Sequence, residues 1–154
     1  MAETELLDRG YATIMSSIVD HAEAPHYTEL AASLDIDLGD ARELVHELVA
    51  NTPGWVHPGT DVVASFPPFN LQPTHYRVTI DGRPGWYAQC GFEALAIRWL
   101  VPDSVVRVEA PCLCCAEPIV VEMQGENVTA ASPDEVVGYT SSEVGGDPST
   151  RPFR

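Results

Sequence analysis

"HYRVTIDGRPGWYAQCGFEALAIRWL", residues 75–100, decides the fold. Its first six residues alternate polar and apolar, the period of a half-buried strand. Asp81-Gly82 follows, a dipeptide that closes two-residue hairpins because both positions accept positive φ. "RPGWYA" returns as the partner strand. From about Gly91 to Leu100 the spacing becomes helical, and it predicts Phe92, Leu95, Ala96, Trp99 and Leu100 as the buried face. Two paired strands and a helix in one short stretch specify an α+β fold, a small mixed or antiparallel sheet carrying one helix.

Working downstream, Val105–Ala110 and Ile119–Met123 read as strands joined by the hairpin tip "PCLCCAE". Val128–Ala131 reads as a third strand after a turn at Gly125-Glu126-Asn127. Residues 140–154 are small, polar and rich in Gly and Pro, and predict a disordered tail.

Upstream, "FPPFNLQPT", residues 66–74, reads as a proline-rich connector, and a helical module ends before it. A first helix is predicted over 3–22, with Leu7, Tyr11, Ile14, Met15, Ile18, Val19 and Ala22 on one face. A short helix over 28–34 follows, then a third over 40–51 with Asp37 or Asp40 as its cap. Three helices followed by "GWVHPGTDVVASF" have the shape of a helix-turn-helix with a winged hairpin. The predicted organisation is a helical, helix-turn-helix-like module over 1–65, an α+β domain over 66–139 and a tail over 140–154.

Charge argues against a DNA-reading role for the first module. The 154 residues carry 23 acids against 8 basic residues, a net charge of −15. All the basic residues are arginines. The third helix presents Asp40, Glu43 and Glu47 with Arg42 as its one cation, so its face would repel phosphates. Neither nucleic acid nor membrane is an expected partner. There is no apolar run of about 18 residues. The N-terminal "MAETELLDRG" lacks the basic and apolar blocks of a signal peptide, so the cytoplasm is the expected compartment. Thiols stay reduced there, which turns attention from disulfides to metal and nucleophile chemistry.

The chain has four cysteines: Cys90, Cys112, Cys114 and Cys115. Cys90 enters the predicted helix of the opening stretch, where free N–H groups and the helix dipole favour a thiolate. Glu93, three residues on, falls beside it on the helix surface. A thiolate with an adjacent carboxyl is a nucleophile or soft ligand with its own proton source. The plainer alternative is a small residue packed under the helix beside an ordinary N-terminal acid. Cys112 and Cys115 form a C-x-x-C pair that resembles half of a zinc knuckle. Vicinal Cys114-Cys115 suits a soft ion such as Hg(II), Cu(I) or As(III). Cys90, Cys112, Cys114 and Cys115 are therefore the candidate metal ligands, with zinc or copper as alternatives to mercury. His21, His26, His46, His57 and His75 form no metal triad by spacing. Trp55, Trp86 and Trp99 read as core.

The run "ASFPPFNLQPTHYRVTIDGRPGWYAQCGFEALAIRWL", followed by "VRVEAPCLCCAEPIVVEM", resembles the organomercurial (alkylmercury) lyases. The resemblance spans about residues 5–140 and is most specific between 62 and 123. It rests on the FPPF…PT segment, on the tryptophan that precedes Cys90 with an acid three residues beyond, and on the strand–Cys–turn–Glu-Pro hairpin. It implies protonolysis of a carbon–mercury bond: thiolates grip the mercury and a carboxylic acid protonates the leaving carbon. Under it Cys90 matches the first catalytic cysteine, Glu93 replaces the family's catalytic Asp, and Cys112 matches a structurally important hairpin cysteine. The helical module matches one not used to read DNA. The departures are the longer acid and the absence of a cysteine after Cys115 where the family has its second catalytic thiol. The implied reading is a C-terminally truncated, divergent member in which Cys114 or Cys115 supplies the second thiol. No cofactor is required, and mercury is substrate and product ion. A homodimer or a partner subunit is expected at the truncated edge. The alternatives are a non-catalytic soft-metal binder and a divergent enzyme with a non-mercurial substrate.

Overall fold

A computed structural model describes residues 3–138, with helices and antiparallel strands in an α+β arrangement. The predicted tail over 140–154 lies outside the described residues. The chain divides after Phe66 into two compact units.

The first unit holds α1 (Glu3–His21), α2 (Tyr27–Leu34), α3 (Leu38–Ala50), β1 (Trp55–Val56) and β2 (Val63–Phe66). The apolar stripe of α1 buries Ile14, Met15 and Ile18, which share the core with Leu30, Val45 and Leu48. Tyr11, predicted on that stripe, is 40% exposed and lies with its ring 5.2 Å from that of Phe66. Gly10 permits the close approach of α1 to α3, because a Cβ there would stand 2.8 Å from Leu44 Cδ2. His26 caps α2. Thr28 N–H donates to His26 Nδ1 at 3.4 Å, and His26 N–H donates to the Glu29 carboxylate at 2.8 Å, a capping box with histidine in the usual Ser/Thr place. Asp37 precedes α3 without closing a side-chain cap bond. β1 pairs antiparallel with β2. In the loop between them Asp61 accepts from Arg42 at 2.9 Å and from His46 at 2.7 Å.

The second unit is an antiparallel sheet in the order β3-β5-β4-β6-β7-β8. Its strands are β3 (Phe69–Asn70), β4 (Tyr76–Ile80), β5 (Arg83–Ala88), β6 (Val105–Pro111), β7 (Pro118–Gln124) and β8 (Asn127–Ser132). β3 corrects the reading of 66–74 as a mere connector. Proline content hides the strand, but Phe69 is 1% exposed and stands opposite Ala88. Asp81 and Gly82 both have positive φ, 49° and 75°, as the β4–β5 turn requires. The Asp81 carboxylate then accepts from the Ser104 hydroxyl at 2.7 Å and from Val105 N–H at 2.9 Å, tying that turn to the start of β6.

Strand alternation puts Tyr76, Val78 and Ile80, Trp86 and Ala88, Val106 and Val108, and Met123 on one buried face. α4 (Gly91–Ala96) packs on β4 and β5 at that face and continues as a 3-10 turn, Ile97–Trp99. The buried residues here are Ala94 and Ile97. The predicted face is corrected: Phe92 is 54% exposed, Trp99 64% and Leu100 39%. The helix ends after six residues. The 3-10 geometry then advances three residues per turn, which shifts the covered face to Ala94 and Ile97. Trp99, read as core, instead stacks beside the Arg98 guanidinium 5.0 Å from its ring. Among the described residues no helix is long and apolar enough to cross a membrane.

Candidate active site

The Thr74 hydroxyl fixes the end of the sheet from which the site is built. It donates to the Ala88 carbonyl at 2.6 Å and accepts from Tyr76 N–H at 3.1 Å. β5 is thereby pinned two residues before Cys90. Cys90 occupies the N-cap of α4 in extended backbone, φ −147° and ψ 172°, and its carbonyl accepts the first helical bond from Ala94 N–H at 3.0 Å. Gly91 faces Tyr76, where a Cβ would come within 3.4 Å of Cε1.

Cys90 is half-buried and free. Burial pushes its thiol above the ordinary range, and the nearby Glu93 carboxyl adds to this. The Phe92 and Glu93 N–H groups pull the other way, yet no cap hydrogen bond is closed to the sulfur. This corrects the expectation of a ready thiolate: desolvation outweighs the end of so short a helix. Glu93 occupies the first turn of α4 beside the sulfur. Burial raises its carboxyl, against a hydrogen bond with the Cys90 thiol and the backbone groups of Cys90 and Gln89, which favour the charged form. One of its oxygens, Oε2, is buried without a partner. Burial thus disfavours the anion of both the thiol and the carboxyl, which hydrogen-bond to each other. Tyr76 was not singled out from the sequence. Burial and then the nearby Cys90 raise its phenol, and its ring lies beside Gly91, the residue after Cys90. Its signal was its register, opposite Ala88 just before Cys90.

The other three cysteines sit on the β6–β7 hairpin. Its tip is closed by Cys112 N–H to the Glu117 carbonyl and by Ala116 N–H to the Cys112 carbonyl, each 2.8 Å, with Ala116 left-handed at φ 62°. In this loop the Cys115 and Cys114 N–H groups and then the Cys115 thiol favour the Cys112 thiolate and lower its pKa. Glu117 N–H favours the Cys115 thiolate, but the hydrogen shared with Cys112, with burial, leaves its pKa raised. Cys114 is exposed. The structure therefore pairs Cys115 with Cys112, and Cys90 with Glu93.

The four cysteines are not assembled into one metal centre. Among the described residues no three His, Cys, Asp or Glu side chains are placed to hold one ion. The reason lies in the sheet. Cys90 leaves β5 and Cys112 leaves β6, with β4 between them. Two strand spacings are about 10 Å. The two sites nevertheless share an end of the sheet. Tyr76 stands opposite Ala88 and Arg77 opposite Glu109. The chain therefore leaves β5 toward Cys90 and β6 toward Cys112 at the end of the sheet where β4 begins.

A half-buried thiol hydrogen-bonded to a carboxyl with an unpartnered oxygen is an arrangement able to bind a soft ion through sulfur beside a proton-carrying group. Comparison with known proteins narrows it. The alkylmercury lyase family model matches residues 69–150. That is more than half of the 154 residues, and the chain belongs to the alkylmercury lyase family. A solved structure, the mercury-bound form of MerB2, superposes with a TM-score of 0.66 at 19% identity, over 86% of this chain and 69% of that one. No curated protein sequence matches.

Proposed function

We propose that the protein cleaves carbon–mercury bonds by protonolysis at Cys90 and Glu93. The observation that carries this is the Glu93 carboxyl, buried with Oε2 unpartnered and hydrogen-bonded to the Cys90 thiol. A site that only gripped a metal has no use for a carboxyl beside its sulfur that can take up a proton and give it back.

The proton balance follows from the pair. An organomercurial in a thiol-containing solution carries one thiolate already, since sulfur is the preferred ligand of so soft an ion. Cys90 adds a second sulfur. Its S–Hg bond forms as its proton passes to Glu93, which lies within hydrogen-bond reach. Added sulfur donation loads the Hg–C bond with electron density, and the carbon leaves with the bonding pair. Glu93 delivers the proton to that carbon, releasing hydrocarbon and returning to carboxylate. Mercury stays Hg(II), held by Cys90 and the incoming thiolate. Only this chain's thiol and acid take part, so no resident cofactor enters the reading.

This reading gives Cys114 and Cys115 no part in the bond-breaking step. Incubating the reduced protein with an organomercurial and excess thiol should release hydrocarbon above the thiol-only background. Stoichiometric Hg(II) uptake without hydrocarbon would replace the lyase reading with a soft-metal binder.

A further inference from the structure

The geometry points to a second mercury site, formed by Cys112 and Cys115, that accepts Hg(II) from Cys90 after each cleavage. The inference deepens the lyase reading and its hand-off half rests on it.

Two thiols suffice for this ion, because Hg(II) binds two thiolates in a near-linear arrangement. The absence of a third converging ligand among the described residues is therefore compatible with mercury and unfavourable to tetrahedral zinc. Cys112 and Cys115 meet this need without rearrangement of the sheet. Their side chains already share a hydrogen, and the loop that holds them is closed at both ends by backbone bonds of 2.8 Å. The N–H groups of Cys114 and Cys115 converge on the Cys112 sulfur. Cys115 is exposed and Cys112 partly so, which leaves the pair open to a departing ion and to its next acceptor. Cys90 is more enclosed, with its thiol against Tyr76 and Glu93. Both sites follow strands that flank β4, β5 before Cys90 and β6 before Cys112, and both lie at the end of the sheet where β4 begins.

The transfer balances as thiol exchange. The Cys112 thiolate forms an S–Hg bond as the bond from mercury to Cys90 breaks, and Cys90 leaves as a thiolate. Cys115 then takes the place of the external thiolate and gives it its proton. Mercury remains Hg(II), and no sulfur is oxidised.

The first arm of the test uses mercuric chloride alone against the full-length reduced protein in a millimolar excess of a monothiol. Chelation presents the second sulfur at a high effective concentration, so a dithiol should outlast the competitor by about 10²-fold. Wild type and Cys90→Ser should each retain one Hg(II). Cys112→Ser and Cys115→Ser should each lose it, while Cys114→Ser retains it, which also shows that a substitution in the loop leaves it folded. Retention that survives Cys115→Ser, or that disappears in Cys90→Ser, overturns the site. The second arm follows successive turnovers of an organomercurial. Cys112→Ser and Cys115→Ser should slow the turnovers after the first relative to wild type, and equal later turnovers overturn the hand-off. If no variant or wild type releases hydrocarbon, the lyase reading and the hand-off fall together, while the mercuric chloride arm still decides the dithiol.

Discussion

Replacing Glu93 by Gln separates the chemistry of this carboxyl from its place in the fold. The amide keeps the size and burial of the side chain but neither takes the thiol proton nor gives one to carbon. A positioned general acid or base contributes about 10²–10⁴-fold. Glu93 serves both steps, so the loss should fall in the upper part of that range, about 10³–10⁴-fold. At about 1.4 kcal/mol per decade this is roughly 4–5.5 kcal/mol of transition-state stabilisation. Stability should move in the opposite sense. Burial raises the Glu93 carboxyl in the folded state, so ionisation is penalised on folding. That penalty is absent well below the unfolded glutamate value of about 4.3 and develops as pH rises through and beyond it. Glu93→Gln should therefore match wild type in acid and be equal or more stable near neutrality. Headspace gas chromatography of the released hydrocarbon, at saturating substrate, measures the rate. Urea unfolding at pH 4 and pH 7.5 measures the stability. A variant within about threefold of wild type in rate would refute the proton-transfer role, because no general acid contributes so little. A marked loss of stability at neutral pH would refute the desolvation argument.

Glu93→Asp shortens the side chain by one methylene. It should keep measurable hydrocarbon release, well above that of Glu93→Gln, because the acid survives and only its reach changes. Met123→Ala empties a fully buried position under the sheet and should cost about 2–4 kcal/mol in urea unfolding. Gly10→Val places branched carbon where a single Cβ already approaches Leu44 Cδ2 to 2.8 Å, and should destabilise by about 1–3 kcal/mol on the same assay. Asp61 is held below the usual carboxylate range by His46 and then Arg42. The stability it contributes is present above the unfolded value of about 3.9 and is lost as pH falls through the lower folded value. Asp61→Asn should therefore be less stable than wild type at neutral pH, and the gap should close in acid and shrink with added salt.

What the sequence discloses depends on how local the governing physics is. Asp81-Gly82 specifies its turn by backbone sterics alone, and the β6–β7 hairpin is legible in the alternation of Val106, Val108 and their partners. β3 is not, because two residues among prolines become a strand only by pairing with the end of β5. The face of α4 is misread for a related reason. Periodicity assumes a continuous helix, and this one tightens after Ala96, so Phe92 and Trp99 turn outward while Ala94 and Ile97 pack. At the site, the three-residue spacing brings Cys90 and Glu93 together as read. That both groups are disfavoured as anions does not follow from spacing, since it comes from burial against a sheet whose other strands lie elsewhere in the chain. The C-x-x-C pair is local and legible. Its position relative to Cys90 emerges only when both registers across β4 are known.

The central claim is that one proton, passed between Cys90 and Glu93, ends on the carbon released from mercury. Single-turnover cleavage of an organomercurial in D2O with excess thiol, read by mass spectrometry of the gas, tests it most directly. The account predicts one singly deuterated hydrocarbon per protein molecule, with release falling to the thiol-only background in Cys90→Ser. Wild-type release no faster than that background, or release undiminished in Cys90→Ser, would contradict it.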